Sequence, residues 1–322
     1  MDRTIKKYYD KFKKFEKHFI YFLYIFLFVI LVIYSIKYFS ILSENIKKIG
    51  FLIIFVIFLI QILIVYFCDV RIYYLLKPLN KKKIRVIDLF LVFNISNLFK
   101  YVPPKGINYY MRIKLLNKIK NLQGKITSTF GEFVSEIYIS SICTLILIYN
   151  ILETSLFLKL SILLFIVLAT YFMLFPYYIN KILNLLKLKL KKIRKLIFHF
   201  TKLVRYKEYY YSLFLTLITA ILHGFSLYMI SSSIGLSQFS IFEMTIVFYS
   251  AQFLSILLMA PAGIGVRDIG ITSFLVFNGV DIGNAIFISL LHRAIMFISE
   301  LVIGLVSIIW LKSKDSFSFK NV

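Results

Sequence analysis

Long apolar runs constrain this chain more than any other feature of its sequence. A run of roughly 18 residues can cross a hydrocarbon layer about 30 Å thick at about 1.5 Å per residue. Such runs lie near residues 19–36, 50–68, 129–150, 156–175, 209–234, 239–260 and 284–311. Two shorter apolar stretches, 84–99 and 268–280, each border a break rich in proline and glycine. The pattern predicts an all-α polytopic membrane protein with about seven or eight spans and two re-entrant hairpins.

The composition agrees with a membrane protein and disfavours a soluble one. The chain is 60% hydrophobic and has a mean hydropathy of +0.83. It holds 39 Lys and Arg against 15 Asp and Glu, and most of the basic residues lie in short connections between apolar runs. This distribution is typical of a protein that follows the positive-inside rule. Because no soluble basic domain is apparent, nucleic-acid binding is a poor explanation of the charge.

The basic connections predict an orientation. Many Lys and Arg residues lie in segments 1–18, 69–88, 100–125 and 177–208, whereas 151–155 and 235–240 contain none. The basic segments should face the cytoplasm, which places both termini there and the protein in the cytoplasmic membrane. Segments 69–88 and 100–125 share a face only if residues 84–116 enter the membrane and return. A re-entrant hairpin is therefore predicted, with its breaks at Pro103, Pro104 and Gly106.

A second break interrupts the apolar sequence in "MAPAGIGVRDIG", residues 259–270. Pro261 ends a helix here, and the glycines give the backbone freedom that other residues lack. Broken helices at corresponding places in two halves indicate a site near the middle of the membrane. We therefore divide a single transmembrane domain, 1–322, into a first half at 19–175 and a second half at 209–311 with its break at 260–283. The two breaks have two interpretations: they reflect an internal structural repeat, or they occur at similar places by coincidence.

A basic amphipathic segment, 181–207, joins the two halves. Its apolar residues fall on one helical face and its lysines on the other, which is typical of a helix on an anionic membrane surface. A basic linker between two helices is the alternative.

Ionisable residues within the apolar runs are costly and should face a cavity or a partner. Glu132 and Glu136 lie one helical turn apart, and Arg293 and Glu300 lie on a second polar face. Glu132 has an alternative place at the membrane interface, near a helix N-terminus. His223 is interpreted as a hydrogen bond between helices and not as a proton relay.

No enzyme signature is present in the sequence. HExxH, GxSxG and Walker A motifs are all absent, and the four histidines and two cysteines lack the spacing of metal ligands. We therefore expect no catalytic residue, no metal and no cofactor.

Four sequence blocks resemble those of a known family. They are "NLFKYVPPKGINYYMRIKLL" at 97–116, "TFGEFVSEI" at 129–137, "PAGIGVRD" at 261–268 and "LLHRAIMFISELVIG" at 290–304. Together they are similar to the lysylphosphatidylglycerol synthase transmembrane, or flippase-like, family. The chain departs from the family pattern at three positions. Ala262 stands where the family usually has glycine, and Asp268 stands where it usually has glutamate. Phe133, which follows Glu132, stands where the family usually has arginine. The chain resembles a stand-alone member, because no aminoacyl transferase domain follows Leu311.

The resemblance implies that the chain translocates or handles an anionic lipid, either a phospholipid such as lysyl-phosphatidylglycerol or a polyprenyl-phosphate-linked sugar. Substrate-binding residues would be Arg112, Arg267 and Arg293 for the phosphate, with Gly263 and Gly265 letting the backbone approach it. Gating or charge-pairing residues would be Glu132, Glu136, Asp268 and Glu300. Arg267 and Asp268 have an alternative role, which is to cap a membrane helix.

Two other functions remain open. One is a membrane subunit or enzyme of lipid-linked glycan synthesis, and the other is a non-transporting scaffold that recruits a cytoplasmic synthase through 181–207. The expected partners are an anionic membrane lipid and a lipid-modifying synthase or glycosyltransferase, with no nucleic acid. A homo-oligomer is left open.

Overall fold

The structure, a computed structural model, describes residues 39–80, 85–101, 106–116, 121–151, 191–258 and 260–313, together with scattered positions within 33–37 and 160–170. These residues are almost entirely helical and contain no strand. The predicted all-α, polytopic membrane fold is therefore confirmed.

The described helices are numbered α1 to α9 in chain order. They are α1 (Phe39–Leu76), α2 (Val86–Leu98), α3 (Ile107–Leu115), α4 (Leu122–Ile151), α5 (Lys191–Val204), α6 (Lys207–Ser233), α7 (Ile241–Leu257), α8 (Val266–Phe277) and α9 (Ile282–Ser313). Short 3₁₀ turns occur at Lys77–Leu79, Phe99–Tyr101 and Pro261–Gly263.

Four of these helices are long and apolar enough to cross a membrane. The candidate spans are Ser43–Leu79, Leu122–Asn150, Lys207–Ser233 and Ile282–Leu311, in α1, α4, α6 and α9. They contain or closely match the predicted spans 50–68, 129–150, 209–234 and 284–311. The predicted spans 19–36 and 156–175 lie outside the described residues, apart from a few single positions.

Helices α2 and α3 form a hairpin whose two ends lie together. The Asn121 side chain, which follows α3, donates a hydrogen bond of 2.7 Å to the carbonyl of Leu79, which precedes α2. The chain therefore returns to the end of the bundle from which it entered, as expected of a re-entrant segment. At the tip, Gly106 has a left-handed φ of 98° and begins α3, whereas Pro103 and Pro104 lie outside the described residues.

Helices α7 and α8 form a second hairpin, and this corrects the prediction of a full span at 239–260. α7 has 17 residues, and the Gln238 side chain before it donates to the carbonyl of Asn278 after α8, at 3.3 Å. The chain thus reverses between α7 and α8. Apolar length suggested a crossing helix because a buried hairpin arm and a membrane span have the same composition. At the turn, Ala262 takes a left-handed φ of 49°, which is uncommon for a residue other than glycine.

The two hairpins enter from opposite ends of the bundle. α1 runs between these ends, because its C-terminus leads into Leu79 while Asn45 near its N-terminus donates to Asn284 at the start of α9, at 2.7 Å. Asn284 follows directly on the α8–α9 connection. The tips, Phe99–Tyr101 and Pro261–Gly263, meet inside the bundle. Opposed hairpins also occur in transporters built from inverted-topology repeats, and an internal repeat in this chain stays a prediction.

The described part of the basic amphipathic segment is α5. Phe200 and Leu203 are buried on it, and the Phe200 ring meets the Phe130 ring of α4 edge-on at 5.7 Å. Glu208, just after α5, lies 3.5 Å from Lys77, so α5 ends beside the α1–α2 connection. Residues 181–190 lie outside the described part, and the position of α5 on a membrane surface stays a prediction.

The crossing of α6 and α7 should be sensitive to a single methyl group. A Cβ added at Gly224 would lie 2.6 Å from the backbone nitrogen and Cα of Thr245. We expect Gly224→Ala to lower the free energy of unfolding by about 1–3 kcal/mol, which is typical of overpacking. Gly131→Ala is the matched control, because its Cβ would come closest to the flexible end of Leu203. Thermal unfolding in detergent measures both, and equal stabilities would contradict this packing.

The opposed hairpins predict the sidedness of four connections. In a chain without Cys68 and Cys143, cysteines at positions 80 and 121 should react with a membrane-impermeant maleimide from one side. Cysteines at 238 and 278 should react from the other side, because each hairpin returns to the end where it began. Labelling in right-side-out and inverted vesicles measures this. Opposite sidedness for 80 and 121, or for 238 and 278, would mean that the corresponding segment crosses the membrane.

Candidate functional site

A cavity of about 180 Å³ lies where the two hairpin tips meet. Gly106 and Lys100 line it from the first hairpin, and Ala260, Ala262 and Gly263 line it from the second. Helices α1, α4, α6, α7 and α9 complete the wall. Both sequence breaks therefore open onto one polar space, which is the setting in which irregular backbone is tolerated at membrane depth.

Two arginines and two glutamates form a buried cluster on one side of the cavity. Arg71 of α1 donates to both Glu132 and Glu136 of α4, each at 2.8 Å. Arg112 of α3 forms an ion pair with the other oxygen of Glu132. Arg71, Arg112 and Glu132 have side chains no more than 3% exposed, whereas Glu136 is 25% exposed. Glu132 is thus buried inside the bundle, and the cluster ties the first hairpin to α1 and α4.

Helix α9 is bonded to the tips of both hairpins. Glu300 accepts from Lys100 at 2.5 Å and from the Tyr101 hydroxyl at 2.8 Å, at the first tip. Two turns earlier, Arg293 donates to the Asp268 carboxylate of α8 at 2.6 Å and to the carbonyl of Gly263 at 2.9 Å. A movement of α9 would therefore act on both tips.

Within the described part of the chain, Arg267 has no carboxylate partner, unlike the other cavity cations. It is 6% exposed, and no described acidic side chain lies within salt-bridge distance of it. Its contacts are the Gln252 side-chain oxygen at 3.3 Å, the Met296 sulfur at 3.6 Å and the Phe248 ring at 5.0 Å. A buried guanidinium held only by neutral groups is costly and suits an anionic ligand.

Among the described residues that line the cavity, the basic ones outnumber the acidic ones by one. Four of its described lining residues are basic and three are acidic, namely Arg71, Lys100, Arg112 and Arg267 against Glu132, Glu136 and Glu300. Three of the four cations are paired, so the excess lies at Arg267.

The other predicted site residues stand around the cavity in different positions. Gly263 lines it, whereas Gly265 does not, and the Gly265 N–H donates to the Asp268 carboxylate at 3.0 Å. Asp268 therefore caps the start of α8 and pairs with Arg293 at the same time. Arg293, Asp268 and Pro261 support the second tip from behind and do not line the cavity.

Several cavity residues were missed from the sequence. Arg71 was counted as a positive charge of the connection 69–88, but α1 continues to Leu76 and carries Arg71 inside the bundle. A helix extended by two turns would have placed it there. Lys100 and Gln252 carry no local signal, because only the meeting of the tips brings them to the cavity.

His223 differs from its interpretation as a hydrogen bond between helices. It lines the cavity and stacks on the Phe248 ring with centroids 4.3 Å apart, and its Nδ1 has no partner among the described atoms. Within the described part of the chain, no cluster of three or more His, Cys, Asp or Glu side chains has the geometry of a metal site.

Comparison with known proteins agrees with the resemblance. A family model described as the lysylphosphatidylglycerol synthase TM region matches residues 20–304, so the chain belongs to that family. No curated protein and no solved structure matched the chain. Family membership makes it a multi-pass membrane protein associated with lipid handling.

The Arg293–Asp268 pair predicts strong coupling between two substitutions. Asp268→Asn or Arg293→Gln alone leaves a buried charge without its partner, which typically costs about 3–5 kcal/mol. The double variant removes both charges, and we expect it to unfold at a higher temperature than the less stable of the two single variants. A double-mutant cycle on thermal unfolding in detergent measures the coupling. Additive effects would contradict a direct buried pair.

Proposed function

We propose that this member of the lysylphosphatidylglycerol synthase transmembrane family transfers a lipid with a phosphate-bearing headgroup across the cytoplasmic membrane. The observation that carries the proposal is Arg267, a buried cation at the cavity without a carboxylate partner. The basic connections support an orientation in which both termini face the cytoplasm.

The phosphate of the headgroup binds Arg267 first. A guanidinium donates through a planar fork that matches two phosphate oxygens, and no existing ion pair has to break for it to do so. Arg112 and Arg293 are held by Glu132 and Asp268 in the absence of lipid. Arg112 lines the cavity and contacts the phosphate as it passes between the hairpins, so Glu132 neutralises Arg112 between transfer events. Arg293 stays with Asp268 and holds the second tip in place.

The cavity also suits a positive group on the lipid. Glu136 lines it and is the most exposed carboxylate of the Arg71–Arg112–Glu132–Glu136 cluster. A headgroup that carries a phosphate and ammonium groups, such as that of lysyl-phosphatidylglycerol, has Arg267 as a partner for the phosphate and Glu136, shared with Arg71, as a partner for one ammonium. A polyprenyl-phosphate-linked sugar uses only the Arg267 side, and this observation favours the aminoacylated phospholipid.

The opposed hairpins supply a route for transfer. The two tips meet at the cavity from opposite ends of the bundle, and α9 bonds to both tips through Glu300 and Arg293. A displacement of α9 that loosens one tip and tightens the other exposes the site to each face in turn, as in transporters built from inverted repeats. The acyl chains stay in the bilayer while the headgroup passes through the cavity.

No covalent step is part of this proposal. The cavity-lining carboxylates Glu132, Glu136 and Glu300 each already accept hydrogen bonds from Arg or Lys. An enzyme or subunit of lipid-linked glycan synthesis, or a scaffold that recruits a synthase through 181–207, would explain membrane residence. Neither explains a buried arginine at the cavity for which the described residues offer no carboxylate partner.

The proposal predicts that Arg267→Gln separates function from stability. Lipid transfer in proteoliposomes should fall at least about tenfold, because a phosphate loses its charged donor, equivalent to about 1.4 kcal/mol. The unfolding temperature should not fall, since no carboxylate is left unpaired. The assay offers labelled lysyl-phosphatidylglycerol and labelled polyprenyl phosphate in parallel.

Lys202→Gln is the matched control, because Lys202 lies on the exposed side of α5 and contacts the Phe198 ring. It should transfer lipid as the unsubstituted protein does. Wild-type transfer by Arg267→Gln would overturn the role of Arg267. Absence of transfer of either lipid by folded, unsubstituted protein would overturn the proposed function and favour the subunit or scaffold.

A further inference from the structure

A second ionisable site lies outside the cavity, between α1 and α2. Asp69 of α1 is 3% exposed and Asn94 of α2 is 7% exposed. The Asn94 amide nitrogen donates to one carboxylate oxygen of Asp69 at 3.1 Å. The second oxygen of Asp69 and the side-chain oxygen of Asn94 are both buried and have no hydrogen-bond partner among the described atoms.

No cation among the described residues balances Asp69. Every other buried acidic side chain of the described chain forms an ion pair, but no described Lys, Arg or His lies within 4 Å of Asp69. A buried carboxylate without a counter-charge is strongly disfavoured, and so is a buried acceptor without a donor. The site therefore lacks one positive charge and one donor.

A single proton supplies both. A protonated carboxyl group has one O–H donor, and a side-chain amide has one carbonyl acceptor. With the proton on its free oxygen, Asp69 donates to the free oxygen of Asn94 while it still accepts from the Asn94 nitrogen. The two side chains then form a closed acid–amide pair with two hydrogen bonds, and neither orphan oxygen remains.

We infer that Asp69 and Asn94 form a proton-binding site within the membrane, and that its occupancy controls the partner of Arg112. The charged groups that act on Asp69 are Arg112 of α3 and Glu132 of α4. Arg71, on the same helix, is directed to Glu132 and Glu136. Among the described residues, α6 and α9, which also pack on α1, contribute no charged group to it.

Proton release would change the first hairpin. While Asp69 is neutral, the Arg71–Arg112–Glu132–Glu136 cluster holds two positive and two negative charges, and Arg112 stays with Glu132. When Asp69 ionises, it competes with Glu132 for Arg112 and draws α3 toward α1. Because Arg112 and Gly106 both line the cavity, the proton then alters the lipid site. This coupling to lipid transfer rests on the proposed function, whereas the proton site does not.

Infrared spectroscopy tests the proton site without any transfer assay. Protein in ester-free detergent at neutral pH should show the carbonyl band of a hydrogen-bonded carboxylic acid, and ¹³C labelling of aspartate should move it. Asp69→Asn should remove the band. Asn94→Ala should keep the band but move it to higher frequency, because the acceptor is lost. Asp88→Asn is the control, because Asp88 lies in the first turn of α2 and pairs with Arg85. This variant should leave the band unchanged.

Two results would overturn the proton site: no such band in the unsubstituted protein, or the same band in Asp69→Asn. If Asp69→Asn does not fold, the test uses Asn94→Ala instead. A carbonyl band at the same frequency in Asn94→Ala and in the unsubstituted protein would contradict the acid–amide pair.

The coupling is tested by the pH dependence of lipid transfer. The unsubstituted protein should change its initial rate with pH, and Asp69→Asn should show a flat profile because its side chain is permanently neutral. A band lost in Asp69→Asn together with an unaltered pH profile would overturn the coupling and keep the proton site. Absence of transfer at every pH would count against the proposed function, and the infrared result would still decide on the proton.

Discussion

The cost of placing charge inside a membrane is the constraint on which this structure depends. Buried ionic side chains are stable there when they are paired and hydrogen-bonded, and each unpaired group is costly. The ion pairs also hold the hairpins against the long helices. Arg112 and Glu132 join the first hairpin to α4, and Arg293 and Asp268 join the second hairpin to α9. Irregular backbone at the two tips is tolerated because it faces a polar cavity and these charged helices.

The two halves each join a hairpin to a long helix by a buried ion pair, but the positions of the cation and the carboxylate are exchanged. In the first half, the returning helix of the hairpin carries the cation, and the long helix that follows carries the carboxylate. In the second half, Asp268 lies on the returning helix and Arg293 on the long helix. In the described structure, Arg267 is a buried cation without a carboxylate partner, and Asp69 is a buried carboxylate without a cationic partner. We assign the first to a phosphate and the second to a proton.

The sequence predicted the features that depend on local composition, and it failed where partners from distant segments decide. Apolar length placed α4, α6 and α9, and the count of basic residues indicated the first hairpin. The same apolar length misassigned 239–260, because only the contact between Gln238 and Asn278 reveals that α7 and α8 return to one end. Arg112, Arg267 and Arg293 looked alike in sequence, and only their partners distinguish the unpaired one.

The most direct test of the central claim, that the hairpin tips enclose an anion-selective site at Arg267, is the reactivity of a single cysteine at position 262, which lines the cavity. In a chain without Cys68 and Cys143, the account predicts that an anionic methanethiosulfonate reacts roughly tenfold faster than a cationic one, and that Arg267→Gln abolishes this preference. Faster reaction with the cationic reagent, or a preference that survives Arg267→Gln, would contradict the account.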